Sequence, residues 1–348
     1  MPNNLSDSSQ SILPRFRIFK DLELSVYRKF ILILIIFVLI FILIYAAVCT
    51  FLYFGQESLI FHPQKLDSDF NFGKLFPNSQ EINIKNPDNI NLNGLFLESQ
   101  NTNLILPSNL SNFANQTVNS TSNLQIPQTQ NLQNSKLRKD SKGLIFYLHG
   151  NSGSIAGWGN IAKFYNELGF DVLIPDYRGF GKSEGKVISQ EQLFEDNQIF
   201  YNFAKSIYPE NKITVIGFSI GTGMAAKITQ NNKPKQLILQ APYYNLHTVM
   251  TDNFLFVPDF LLKYKLETTK YLENSQVPTT IFHGNLDETI SYSNSVQIEA
   301  KLNENLKKTK NQEVSKTKLI TLPNQTHMGI EENEIYQREI KKILEVVK

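Results

Sequence analysis

Residues 213–225 read ITVIGFSIGTGMA. The apolar run Ile213–Ile216 has strand character and leads into Gly217-Phe218-Ser219-Ile220-Gly221, after which Thr222-Gly223-Met224-Ala225-Ala226 opens with helical composition. A serine at the apex of a strand-to-helix turn is the G-x-S-x-G arrangement. Such a turn drives the Ser219 hydroxyl outward, and Gly217 and Gly221 remove the side chains that would collide at the bend. The start of the following helix adds positive partial charge where an oxyanion would develop. The stretch therefore predicts a nucleophilic serine. Taken alone, the pentapeptide also fits a glycine-rich structural turn, so the surrounding pattern has to decide.

That pattern is regular. Strand-length apolar runs occur at Leu144–Leu148, Val172–Ile174, Ile213–Ile216, Gln236–Leu239, Thr279–Phe282 and Leu319–Leu322. Segments with helical spacing lie between or after them at Ile155–Leu168, Gln190–Tyr208, Gly223–Thr229, Ser291–Lys307 and Glu331–Val347. Strands alternating with helices predict an α/β fold with a mostly parallel sheet covered on both faces. Chemistry then gathers in the loops at the carboxyl ends of the strands. An earlier strand pair is expected at Glu81–Lys85 and Gly94–Glu98, where apolar and polar residues alternate.

A hydrolytic serine needs a base, and the base needs an orienting acid. In this kind of fold the chain order is Ser, then Asp or Glu, then His. His327 lies in the loop after Leu319–Leu322, and Asp287 in the loop after the preceding strand. Glu288 is its neighbour, and Asp252 and Asp259 are alternative acids earlier in the chain. The oxyanion hole is expected from the backbone N–H of Ile220 and one from the His149-Gly150-Asn151 loop, at Asn151. His149 and His283 are expected to shape their loops, while His62 and His247 have no catalytic context.

Ile31 to Phe54 is a run of 24 residues without a charge. About 20 apolar residues suffice to cross the hydrocarbon core, so this run is expected to span a membrane. Arg15, Arg17, Lys20, Arg28 and Lys29 outnumber Asp7, Asp21 and Glu23 before it; Glu57, Asp67 and Asp69 outnumber Lys65 after it. The positive-inside rule puts the N-terminus in the cytoplasm and the rest of the chain on the other side. The expected organisation is a tail at 1–30, a transmembrane helix at 31–54, a connector at 55–80 and a catalytic domain at 81–348. Residues 99–141 form an Asn/Ser/Gln-rich insertion with sequons at Asn109, Asn115 and Asn119.

A net charge of +2 and the lack of a basic cluster interleaved with aromatics argue against a nucleic-acid partner. The single cysteine, Cys49, allows neither an intrachain disulfide nor a cysteine-based metal site.

FYLHGNSGS at 146–154, PDYRGFGKSEG at 175–185, IGFSIGTGMA at 216–225, LILQAPYYNL at 237–246, VPTTIFHGNLDETI at 277–290 and THMGI at 326–330 resemble, in order, the BEM46-like group of α/β-hydrolases, with its ABHD13-type and ABHD17-type members. QESLIFHP, directly after the apolar run, resembles the entry to that domain. The resemblance implies an eight-stranded hydrolase sheet, no cofactor, and a triad falling on Ser219, Asp287 and His327. It also implies a structural role for Asp176-Tyr177-Arg178-Gly179. Thr222 departs from the glycine of many relatives, and the N-terminal cysteine cluster of the depalmitoylating members is missing.

The expected activity is hydrolysis of an acyl ester or thioester, on a small-molecule or lipid substrate, through an acyl-enzyme. A serine peptidase and a catalytically silent membrane-tethered binding module are the rival readings. Phe254, Leu255, Phe256, Val257, Phe260, Leu261, Leu262 and Tyr264 sit where such enzymes carry a lid. They are expected either to pack a helix on the sheet or to wall an acyl site.

Overall fold

The computed structural model describes residues 13–99, 141–253, 258–309 and 317–345. Residues 100–140 of the insertion, with its three sequons, and residues 254–257 of the lid region lie outside them. The chain divides into two units, Met1–Gly55 and Gln56–Lys348.

The first unit consists, in its described part, of helix α1, which runs Leu13–Ile60 and so ends inside the second unit. No Gly or Pro occurs between Arg15 and Phe54, so nothing there interrupts helical hydrogen bonding. Pro14 falls in the first turn, where its missing N–H is harmless. The helix consequently starts well before the expected Ile31, taking in residues 13–30 of the expected tail, and it continues into the connector. Pro63 disfavours helix at the residue before it, which accounts for the stop near Ile60. Within α1, Val26–Ile60 is long and apolar enough to cross a membrane by length and composition.

The second unit is built on an eight-stranded sheet. A short strand, β1 (His62–Pro63), comes first, and β2 (Ser79–Lys85) and β3 (Asn91–Leu97) follow as an antiparallel pair. Then come β4 (Leu144–Leu148), β5 (Ser152–Gly153), β6 (Asp171–Pro175), β7 (Ile213–Phe218), β8 (Gln236–Gln240), β9 (Thr279–Gly284) and β10 (Lys318–Leu322). Spatial order in the large sheet is β10-β9-β8-β7-β4-β6-β3-β2. Only β3 runs against its neighbours; the other pairings are parallel. Each strand expected from the apolar runs is present, extended or shifted by a few residues.

Period-two alternation sends side chains to both faces. Leu144, Phe146 and Leu148 of β4 enter one core cluster, while Ile145 and Tyr147 enter the other. The first cluster is covered by α4 (Gln190–Ile207), α5 (Gly221–Asn231), α7 (Thr268–Leu272) and α8 (Ser293–Thr309). The second is covered by α2 (Ile155–Trp158), α3 (Asn160–Glu167) and α9 (Glu334–Glu345); α6 (Leu246–Asn253) lies in the lid region. Full burial of one Leu, Ile or Phe is worth about 1.5–3 kcal/mol, so this two-sided core holds the strand ends rigidly. The helix expected at Ile155–Leu168 is broken at Gly159, against which the Phe76 ring packs.

Candidate active site

At the carboxyl end of β7 the chain turns into α5 within three residues. Ser219 adopts φ of 51°, a left-handed conformation that costs a non-glycine residue about 1–3 kcal/mol. The turn is held from outside: the Ser219 N–H donates to the Gln240 carbonyl of β8 at 2.9 Å. Thr222, the departure from glycine, is fully buried and donates its hydroxyl to the Ser219 carbonyl at 2.6 Å. A Cβ on Gly217 would lie 2.6 Å from the Gly221 carbonyl oxygen, and one on Gly221 would collide with the carbonyl oxygens of Leu148 and His149. The glycines therefore let β4, β7 and α5 converge beneath the serine.

His327 and Asp287 arrive from the loops after β10 and β9. Leu286 N–H donates to the Gln325 carbonyl at 3.1 Å and Asn324 N–H to Asn285 Oδ1 at 2.7 Å, tying the two loops together. His327 Nε2 lies 3.0 Å from Ser219 Oγ, and its Nδ1 lies 2.8 Å from Asp287 Oδ2. A carboxylate only accepts, so Nδ1 carries the proton and Nε2 is free to take that of the hydroxyl. Asp287 Oδ1 accepts from the N–H groups of Thr289 (2.9 Å) and Ile290 (2.8 Å). Glu288, the neighbouring acid, is exposed. The side chains of Asp252 and Asp259 lie outside the described residues.

Burial pushes the Asp287 carboxyl up, but hydrogen bonds from His283 and His327, the His327 charge and the Ile290 N–H outweigh it and hold it well below the usual carboxylate range. A folded-state pKa below the unfolded one, about 3.9 for Asp, means that ionised Asp287 stabilises the fold above that pH. The contribution is lost as the pH falls towards the depressed folded value. The urea midpoint is accordingly expected to fall more between about pH 5 and pH 3 in the wild type than in Asp287→Asn. Equal falls would refute this account of the carboxylate.

The loop after β4 is anchored by the connector, whose QESLIFHP stretch resembles the entry to the domain. Strands β1 and β5 pair in parallel, with His62 opposite Ser152 and Pro63 opposite Gly153. His62 N–H donates to the Asn151 carbonyl at 2.8 Å, and Asn151 Nδ2 donates to the Ile60 carbonyl at 2.8 Å. Tyr177 hydroxyl donates to the His149 carbonyl at 2.7 Å. Asp176 accepts from the Ile155 N–H and lies 3.4 Å from His149 Nε2. The Asp-Tyr-Arg-Gly element thus braces this loop. Ile220, which should supply the other oxyanion N–H, is buried as the N-cap of α5.

In the lid region Tyr264 is buried, stacks edge-on against Phe61 at 5.2 Å and donates its hydroxyl to Glu57. Leu262 is buried too, whereas Phe260 is exposed. Part of the expected apolar cluster is thereby used in packing against the connector. His283, expected to shape its loop, is buried, with Nε2 at 3.1 Å from Asp287 Oδ2. The only hint in the sequence was its spacing of four residues from Asp287.

A sheet in which only the second long strand is antiparallel, with a strained serine between a central strand and a helix, defines the α/β-hydrolase fold. The family model for serine aminopeptidase, S33, matches residues 139–266. Solved structures agree in fold. The Pyrococcus furiosus esterase Pf2001 superposes with a TM-score of 0.56 at 17% identity, covering 82% of this chain and 96% of the esterase. An alpha-beta hydrolase from Vibrio vulnificus gives a TM-score of 0.53 at 16% identity, covering 77% of this chain and 80% of that one. Among curated proteins, the uncharacterized protein R595 of Acanthamoeba polyphaga mimivirus is 28% identical over 46% of this chain and 61% of its own length. Lysophosphatidylserine lipase ABHD12 of Danio rerio is 32% identical over 31% of this chain and 30% of its own length. The chain thus matches less than two thirds of each of these two relatives. The protein has the α/β-hydrolase fold.

Proposed function

We propose that the protein is a membrane-anchored serine hydrolase that cleaves an acyl ester or thioester through Ser219, His327 and Asp287. The observation that supports this most directly is the two-link chain from Ser219 Oγ to His327 Nε2 (3.0 Å) and from His327 Nδ1 to Asp287 Oδ2 (2.8 Å). In this reading Ser219 Oγ attacks the acyl carbon as its proton passes to His327 Nε2, and Asp287 stabilises the imidazolium that forms. The N–H groups of Ile220 and Asn151 stabilise the oxyanion. His327 then protonates the leaving group, and water, activated by the same histidine, releases the acid.

Two matters favour an acyl lipid over a soluble ester. The relatives described as lysophosphatidylserine lipases act on a lysophospholipid, and the apolar run in α1 would hold the catalytic domain beside a bilayer. The ordered motifs from FYLHGNSGS to THMGI support, in this reading, membership of the BEM46-like group. Amide hydrolysis is the second reading, favoured by the S33 aminopeptidase match.

The test is turnover by the full chain in detergent of lysophosphatidylserine, short p-nitrophenyl esters, acyl-CoA and aminoacyl amides. The lysophospholipid and the esters are expected to be cleaved, and Asp287→Asn to lower kcat about 10⁴-fold. Preferential cleavage of the amides would replace the ester reading by the peptidase one. With the catalytic domain on the non-cytoplasmic side, protease added there should digest it in sealed vesicles; digestion from the cytoplasmic side alone would reverse the orientation.

A further inference from the structure

Asp287 is touched by two histidines, not one. His327 Nδ1 approaches its Oδ2 at 2.8 Å, and His283 Nε2 approaches the same oxygen at 3.1 Å. Oδ1 is already taken by the N–H groups of Thr289 and Ile290. A carboxylate offers about four acceptor positions, so His283 fills the last one of a group whose side chain is fully buried.

The tautomer of His283 follows from its surroundings. Its Nε2 faces two acceptors, Asp287 Oδ2 and the Ile290 carbonyl at 2.9 Å, so Nε2 must carry a proton. Its Nδ1 lies 2.6 Å from the hydroxyl of Ser295, which can then donate to it. Both His283 and Ser295 are fully buried. The Tyr292 ring stands edge-on at 5.7 Å and is, among the described residues, the other titratable group against His283. Around His327 stand Ser219, Asp287 and the Phe218 ring at 5.1 Å.

We propose that His283, set by Ser295, is a positioning residue for the reaction: its Nε2–H fixes Asp287 Oδ2 and withdraws charge from the oxygen that orients His327. The inference rests on the triad reading of Ser219, His327 and Asp287. It has a sign. A carboxylate relieved of one donor is a stronger acceptor and holds protonated His327 more firmly. The catalytic histidine then keeps its proton to higher pH, and the acid limb of kcat/KM moves up.

The experiment compares the pH dependence of p-nitrophenyl butyrate hydrolysis by the full chain in detergent, for wild type, His283→Leu, His283→Gln and Ser295→Ala. Fluorophosphonate labelling of wild type and Ser219→Ala runs alongside. His283→Leu is expected to lower kcat/KM roughly tenfold to a hundredfold and to move the acid limb up by about 0.5–1 pH unit. His283→Gln, whose amide N–H reaches the same oxygen, should return the limb towards wild type. Ser295→Ala, which leaves the ring in place but releases its tautomer, should give a smaller shift of the same sign. A folded His283→Leu that loses activity with its limb unmoved has lost packing only, and the proposal fails. If His283→Leu does not fold, Ser295→Ala decides, and an unmoved limb there overturns the proposal. A wild type that takes no label refutes the triad reading itself and this inference with it; labelled wild type with unmoved limbs refutes this inference alone.

Discussion

Ser219→Ala is expected to lower ester hydrolysis by about 10⁴-fold or more and to abolish fluorophosphonate labelling, with unfolding unchanged within about 1 kcal/mol. The size follows from how the parts cooperate. Among the described residues, Ser219 Oγ at 3.0 Å is the hydroxyl against His327 Nε2. Once the nucleophile is gone, Asp287 and His327 add almost nothing, because residues that act as a unit are not additive. What remains is binding and the oxyanion donors. Stability should survive, because the turn is held by the Ser219 N–H to Gln240 and by Thr222, neither of which needs the hydroxyl. Labelling that persists in Ser219→Ala would move the nucleophile elsewhere. Absence of label in a folded wild type would leave the silent binding module as the better reading.

Gly221→Ala is expected to cost at least about 4 kcal/mol, or about 10 °C in Tm, and to leave little soluble protein. A Cβ there meets the carbonyl oxygens of Leu148 and His149. These belong to the end of β4 and the loop that follows, which are main chain inside a close-packed sheet and cannot swing aside as a flexible side chain would. The same displacement would push the Asn151 loop away from Ser219, so residual folded protein should also be inactive. Gly157→Ala is the control: nothing lies within 4 Å of a Cβ at Gly157, and the substitution should be neutral or slightly stabilising. Equal melting of the two variants would show that the turn tolerates a side chain and that its glycines are not there for close approach.

Much of the fold was legible because its signals are local. Apolar runs of strand length recur between helical segments, and a central parallel strand such as β4 is apolar at all five positions because both its faces are covered. The candidates Ser219, Asp287 and His327, which meet in the structure, could be picked out for a related reason: chain order and loop position after a strand are properties of the sequence. The helix α1 runs beyond the apolar run 31–54 at both ends, because the apolar run sets where a membrane can be crossed whereas continuation of a helix depends on the absence of breakers.

Sequence alone determined that Ser219 stands on a turn that needs Gly217 and Gly221, because steric demand at a sharp bend is written in neighbouring residues. Only the tertiary structure decided which atoms that turn brings together. The approach of Leu148 to Gly221, the pairing of His62–Pro63 with Ser152–Gly153, and the convergence of His283 and His327 on one oxygen of Asp287 join residues from 4 to 90 positions apart. Contacts of this kind leave no periodic trace, because their geometry is set by how a rigid sheet delivers its loops and not by any residue's own preference.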